Sequence, residues 1–376
     1  MWNLDELTKP PAVFPAPGIS ERGVEALFYA GEDYRGKPTR VFAWYGEPSA
    51  SAGDQVPAMV LVHGGGGTAF AEWVRMWTSR GYIAIAMDTC GSIGDTRWGA
   101  GDRQQHEWAG PRGWGGFDQM DGPLTDHWCY HAVAAVMRAV SHLTTRSRVD
   151  VKRIGITGVS WGGFLTSLTV GVDPRFACAM PVYGCGFITE DSTWNDQFKK
   201  LGPEKTGAWR DHFDPGTHLG NARAPMLWLN GTNDFAYFPS SWQKSYRQTM
   251  EPRTLCMKLR MPHGHGGAGE NAWELPIFAE RWLKGGPGLA TITKHGQEAR
   301  VVWAEYDAPF SLHATELLFT RDVGRWPDRK WETQAAQHDA GKHRVSATVP
   351  EGATAWYLTL TDFRGLMVSS EHQTSA

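Results

Sequence analysis

The stretch from Arg153 to Gly163, RIGITGVSWGG, constrains the fold of this chain more than any other. Ile154 and Ile156 alternate with small residues, as in a strand packed on both faces. The strand runs into Gly158-Val159-Ser160-Trp161-Gly162, and Phe164, Leu165 and Leu168 follow at helical spacing. Strand, sharp turn and helix must therefore succeed one another without a linker. Glycine on either side lets backbone approach where a side chain would clash, and the serine at the tip is lifted clear of the sheet.

The flanking pattern supplies the rest of such a sheet. Apolar runs at 56–62, 82–87, 176–182, 225–229 and 255–261 read as buried strands. Between them lie helical patterns. Phe70, Val74 and Trp77 share one face, and Val133, Val136, Met137 and Val140 share another within a helix over about 124–145. Further helices are expected at 240–250 and 272–283, with an irregular stretch at 183–224. Buried strands alternating with amphipathic helices predict an α/β fold, a mainly parallel sheet covered by helices on both faces. Runs at 24–30 and 40–46 predict an antiparallel hairpin on its edge. Past Gly285-Gly286-Pro287-Gly288 the helical pattern stops. Strand-like runs at 300–304, 316–320, 344–349 and 355–361 predict a small C-terminal β-sandwich. The expected division is an α/β domain over 1–288 and a β-sandwich over 289–376, and 376 residues suffice for both.

Composition narrows the function classes. A formal net charge of −3 gives no reason to expect nucleic acid or a membrane surface as partner. No apolar run approaches the roughly 20 residues of a membrane span. Residues 1–17 are Pro-rich and carry acidic residues, without a basic-then-apolar signal pattern. That predicts either a cytoplasmic protein or a chain whose signal peptide is absent. The five cysteines lack metal-type spacing and are expected to be small buried hydrophobes. From 88 to 122 periodicity collapses into Gly, Trp, Pro and charge, and a loop this long in a compact domain is usually functional. Its 95–121 portion is expected to roof a pocket. Of the nineteen tryptophans, Trp98, Trp108, Trp114 and Trp194 lie in such loops and are the expected substrate contacts.

A serine hydroxyl needs a base within hydrogen-bond reach, and the base needs a carboxylate to orient it. The strand at 225–229 ends in Asn230-Gly231-Thr232-Asn233-Asp234, which makes Asp234 the expected acid ahead of Glu190, Asp191 and Asp214. The next strand ends in Pro262-His263-Gly264-His265-Gly266-Gly267. His265 is the expected base because the loop gains length to reach back, with His263 the alternative. The H-x-H pair has no third ligand of suitable spacing nearby, so no metal and no cofactor is expected. An oxyanion needs preorganised amides. The expected donors are the N–H of Trp161 and those of Gly65 and Gly66 in the His63-Gly64-Gly65-Gly66-Gly67 turn. A phosphate-cradling role would call for a following Gly-Lys-Ser/Thr, which this turn lacks.

HGGGG, GVSWGG, NGTND and PHGH, in that order at strand ends, resemble the α/β-hydrolase superfamily. More narrowly, the set is similar to the branch with acetyl xylan esterases, dienelactone hydrolases and the catalytic domain of prolyl oligopeptidases. The resemblance covers about 24–285 and implies a Ser–His–Asp serine hydrolase. The C-terminal runs resemble Ig-like accessory domains of some bacterial esterases. The doubled histidine and the insertion after Asp88 depart from the pattern. The expected activity is hydrolysis of small-molecule or carbohydrate esters, an acetyl esterase for example. The alternatives are a prolyl oligopeptidase-type peptidase and a non-catalytic binding protein on the same scaffold. With only about 55 residues before the first core strand, the large propeller such peptidases carry is not expected.

Overall fold

The computed structural model describes residues 1–49, 55–94 and 105–375. Its main sheet holds β1 (Val13–Pro15), β2 (Glu25–Ala30), β3 (Arg40–Gly46), β4 (Val56–Val62), β5 (Ile83–Met87), β6 (Val149–Val159), β7 (Cys178–Val182), β8 (Met226–Gly231) and β9 (Arg253–Lys258). Their order is β1-β2-β3-β5-β4-β6-β7-β8-β9. The strands β5-β4-β6-β7-β8-β9 pair in parallel, and β1, β2 and β3 add an antiparallel edge. The 24–30 and 40–46 hairpin is therefore present, and β1 extends it. Every residue of β5 and β7 is buried, as expected of strands covered on both faces.

The helices are α1 (Leu4–Leu7), α2 (Ala71–Ser79), α3 (Trp128–Leu143), α4 (Trp161–Val170), α5 (Asn195–Leu201), α6 (Pro203–Phe213), α7 (Pro239–Gln248), α8 (Ala268–Asn271) and α9 (Glu274–Lys284). Two differences from the sequence pattern have local causes. Helix α3 starts at Trp128 because a 3₁₀ turn occupies Leu124–Asp126 and the His127 imidazole accepts the Cys129 N–H at 3.1 Å, closing the helix there. The stretch at 183–224 holds α5 and α6, whose mixed faces carry no clear apolar stripe.

Chain topology places a crevice at one point. From β4 the chain moves to β5 on one side, then crosses back to β6 on the other. Parallel strands end together, and crevices at such a switch lie outside their carboxyl ends. The loops after β4, β6, β8 and β9 all begin at that edge.

The remaining chain forms two antiparallel sheets. One has the order β10 (Thr291–Glu298), β11 (Val301–Asp307), β15 (Arg344–Thr348), β14 (Gln337–Asp339). The other has β13 (Trp331–Ala335), β12 (Leu312–Thr320), β16 (Ala355–Asp362), β17 (Met367–Ser369), with β18 (Gln373–Thr374) also on β16. Leu317, Phe319, Val345, Leu358 and Leu360 are buried in this C-terminal domain. It is bonded to the sheet's β9 edge. The Met257 N–H donates to Ser369 Oγ at 3.0 Å, and the Met367 N–H donates to Glu274 Oε1 at 3.1 Å. Buried Glu274 also pairs with Lys258 at 2.7 Å.

Candidate active site

Ser160 stands between β6 and α4 with φ 60° and ψ −120°. Such a backbone costs a non-glycine residue on the order of 1–3 kcal/mol and persists only where its surroundings enforce it. Here the Ser160 N–H donates to Val182 O at 2.9 Å, and the Phe164 N–H donates to Ser160 O at 2.9 Å. A Cβ on Gly162 would lie 1.9 Å from Val62 O, so only glycine lets α4 press onto β4. Trp161 is the first residue of α4, and an amide there has no intrahelical acceptor.

The turn after β4 lies against this elbow. Its Gly67 N–H donates to Gly64 O at 2.9 Å, and Gly66 takes φ 67°. Among the described residues the amides of Gly65 and Gly66 bond to no other group. A Cβ on Gly65 would stand 2.8 Å from Trp161 Cδ1. The turn is steadied from behind by buried His63. Its Nε2 accepts the Thr89 N–H at 2.9 Å, which leaves Nδ1 to donate to Gly64 O at 3.0 Å.

Asp234 is buried in the loop after β8. One carboxylate oxygen accepts the N–H groups of Ala236 at 2.9 Å and Tyr237 at 2.7 Å. The other lies 2.6 Å from His263 Nδ1. Tyr183 stacks on the His263 ring with centroids 4.3 Å apart, and Phe235 leans on it at 4.7 Å. Tyr183 directly follows Val182, the residue that holds the Ser160 amide, so the stack ties His263 to the elbow. Among the described residues His263 Nε2 has no hydrogen-bond partner, which leaves its lone pair open.

His265, the base preferred from the sequence, is used differently. Its Nε2 accepts the Gly64 N–H at 2.7 Å, and Nδ1 is bonded to buried Glu270. A ring nitrogen that already receives an amide proton has no lone pair for a hydroxyl proton. The loop length that favoured His265 instead carries it past Asp234 to the glycine turn. The three rival acids are also engaged elsewhere. Asp214 accepts three backbone amides, and burial pushes its carboxyl up to about 6. Glu190 pairs with Lys244, and Asp191 with Ser240.

Two of the four candidate tryptophans reach this region. Trp114 meets His63 edge-on at 5.5 Å and lies beside Gly65. Trp194 packs on Trp161 with centroids 4.6 Å apart. Trp108 does not reach it. Stacked under the Arg40 guanidinium at 4.0 Å and against Phe28, it covers the β2–β3 edge because that cation and ring fill its faces. Trp98 lies outside the described residues, as does the 95–104 part of the insertion. The part after it closes on Trp161, with Gly115 accepting the Trp209 indole N–H at 2.8 Å and Phe117 packed beside Trp161. Among the described residues no group of three or more His, Cys, Asp or Glu is arranged to hold a metal ion. All five cysteines are free, and four are buried.

The prolyl oligopeptidase family matches residues 121–280, and the acetyl xylan esterase family (AXE1) matches residues 23–189. Both matches span the elbow. The chain belongs to the α/β-hydrolase superfamily. Its matches fall in the branch with acetyl xylan esterases and prolyl oligopeptidases, and fold and matches together support a serine hydrolase. The uncharacterized peptidase YuxL of Bacillus subtilis (strain 168) is 29% identical over 230 residues, 56% of this chain and 30% of that protein. The chain thus spans about 30% of the length of that curated relative. Among solved structures, acetyl xylan esterase from Paenibacillus sp. R4 aligns with TM-score 0.58 and 22% identity, over 74% of this chain and 92% of that one. The Pyrococcus horikoshii acylaminoacyl peptidase aligns with TM-score 0.51 and 18% identity, over 70% and 42%. Likeness at these identities is one of fold.

Three residues of the candidate site were not found by sequence reasoning. Glu270 follows His265 by five residues within a four-residue helix, where no periodicity flags it. Tyr183 sits at positive φ just past a strand, a placement no side-chain pattern announces. Asn233, next to Asp234, donates to the carbonyls of Trp326, Pro327 and Arg329 at 3.3, 3.0 and 2.7 Å. That contact spans about ninety residues of sequence.

Proposed function

We propose that this α/β-hydrolase cleaves carboxylic esters through an acyl-enzyme, with Ser160 as nucleophile, His263 as base and Asp234 as its orienting acid. The observation that carries the reading is the 2.6 Å pair between Asp234 and His263 Nδ1, with Nε2 left open and the ring stacked on the residue after Val182. Asp234 accepts the Nδ1 proton, which fixes the tautomer and keeps the Nε2 lone pair available. Ser160 Oγ adds to the ester carbonyl as His263 Nε2 takes its proton. The oxyanion faces the N–H of Trp161 and the unpartnered amides of Gly65 and Gly66, each worth about 3 kcal/mol. Collapse expels the alcohol, which recovers the proton from His263. Water, deprotonated by the same nitrogen, then releases the acid and frees Ser160.

The acyl group is proposed to be small, and the alcohol a sugar or another flat-faced group. Trp161 and Gly115 close on one another beside the serine, while Trp114 and Trp194 offer partly exposed rings for stacking. Ester hydrolysis by the named acetyl xylan esterases and the AXE1 match are consistent with this choice. The prolyl oligopeptidase match keeps peptide cleavage as the competing reading. The test is a panel of acetyl, butyryl and octanoyl esters beside a Pro-containing anilide. Turnover should be highest on acetate and lost by more than about 10³-fold in Ser160→Ala. Undiminished hydrolysis by that variant would sink the proposal, and turnover of the anilide alone would transfer it to the peptidase reading.

A further inference from the structure

A cavity of about 410 Å³ opens beside His263 where the C-terminal domain meets the main sheet. Asp234, Phe235 and His263 line one wall, and Pro327 to Lys330 of the C-terminal domain line the other. The far wall is anchored to the near one by the three Asn233 hydrogen bonds, so its position is coupled to the loop that carries Asp234.

Three cations face this cavity, Arg260, Arg329 and Lys330. Arg329 is held in place, its guanidinium 3.8 Å over the Trp326 ring and bonded through Nε and Nη2 to Gly324 O. Arg260 gives one bond, to Trp331 O at 3.3 Å. Among the described residues none of the three forms an ion pair. The opposing acids are few. Asp328 is on the lining and exposed, Asp322 is engaged by the Lys330 backbone N–H at 2.6 Å, Asp191 acts on Arg329 from a distance, and Asp234 is taken up by His263 and two amides. The whole chain carries a formal charge of −3, so this is a local concentration of positive charge on a negative molecule. A lysine and an arginine left exposed and unpaired beside a base favour an anion there.

We infer that the C-terminal domain completes the substrate cleft and that this cavity takes a carboxylate carried by the substrate. The carboxylate lies across the His263 side of the cleft, held by Arg260, Arg329 and Lys330, while the ester reaches Ser160. The inference rests on the ester-hydrolase reading and deepens it by naming the substrate class, acidic esters.

The experiment compares kcat/KM for neutral 4-nitrophenyl acetate with two anionic esters. In 4-nitrophenyl hemisuccinate the carboxylate is on the acyl side, and in 4-acetoxybenzoate it is on the leaving-group side. The proteins are the wild type, the Arg260→Gln/Lys330→Gln double variant and Arg329→Lys. Each exposed cation lost should lower the anionic-to-neutral ratio about threefold to fivefold, so the double variant should lose about tenfold for at least one anionic ester, mostly in KM. Adding 0.5 M NaCl to wild type should shrink the same ratio, because such contacts are screened over a few ångströms. An unchanged ratio for both anionic esters in the double variant overturns the subsite while leaving ester hydrolysis intact. If wild type hydrolyses none of the three esters, the catalytic reading fails instead. The subsite is then decided by calorimetric binding of 4-hydroxybenzoate, which must weaken in the double variant.

Discussion

Replacing each of the two neighbouring histidines separately gives opposite signatures. In His263→Ala the base is gone, while the Asp234 carboxylate keeps two amide donors at 2.9 and 2.7 Å. General-base loss costs about 10²–10⁴-fold, and a fall of about 10³-fold in kcat corresponds to roughly 4 kcal/mol of barrier. The His263 side chain is largely buried and Asp234 loses a partner while keeping both amides, so the cost should be about 1–2 kcal/mol and Tm should fall by about 2–4 °C. In His265→Ala the Gly64 amide loses its acceptor, and Glu270 stays buried with only the Gly267 N–H, at 3.3 Å. An unsatisfied donor costs about 1–3 kcal/mol, and breaking a buried pair about 3–5 kcal/mol in total. At about 2 °C per kcal/mol for a chain of this size, Tm should fall by about 6–10 °C. The rate should drop only about tenfold, through loosening of the glycine turn. Steady-state hydrolysis of a chromogenic acetate and a thermal melt on the same samples read both quantities. An inactive His265→Ala at wild-type Tm, with His263→Ala still turning over, would refute the assignment and make His265 and Glu270 the working pair.

Other perturbations follow from the same contacts. Gly162→Ala puts a Cβ 1.9 Å from Val62 O and should leave little folded protein, whereas Gly207→Ala in α6 meets nothing within 4 Å and should stabilise by about 0.4–1 kcal/mol. Chemical denaturation of the two variants checks both signs. Acid stability is governed by buried histidines. Burial pulls His127 and His372 down to about 3, and His131 and His142 down to about 4. Each binds its proton more readily once unfolded, so their contribution is complete above the ordinary histidine value of about 6.5 and is lost as pH falls towards 4. Asp214, raised to about 6, works the other way in the same window. Four histidines against one carboxyl leave about three protons, or roughly 4 kcal/mol of stability lost per pH unit near pH 5. Urea unfolding at pH 7, 6 and 5 measures that slope, and a flat profile contradicts it.

Much of the candidate site was legible before any fold existed. The elbow at Ser160 announces itself because a strand, a glycine-flanked turn and a helix leave their periods in adjacent residues. The parallel strands at 56–62 and 178–182 were readable because burial on both faces makes them continuously apolar. Asp234 was placed by the same logic, as the acid of a loop at a strand's carboxyl end. Helices α5 and α6 were not legible, since short helices with mixed faces carry no stripe. Trp108 was misread because loop composition does not say which partners a ring will find, and Arg40 and Phe28 lie far from it in sequence.

The sequence by itself therefore determined the α/β layers and singled out Ser160 and Asp234 as candidates, because each follows from spacing within a few residues. Only the tertiary structure decided which histidine meets Asp234. His263 and His265 are one glycine apart on one loop, and local pattern treats them alike. Asp234 and Tyr183 on one side, and Gly64 on the other, meet these rings only when β4, β6, β7, β8 and β9 are assembled. The same holds for the cavity wall at Pro327 to Lys330. It is held beside the loop of Asp234 by Asn233, which binds three carbonyls from a domain that the chain builds last.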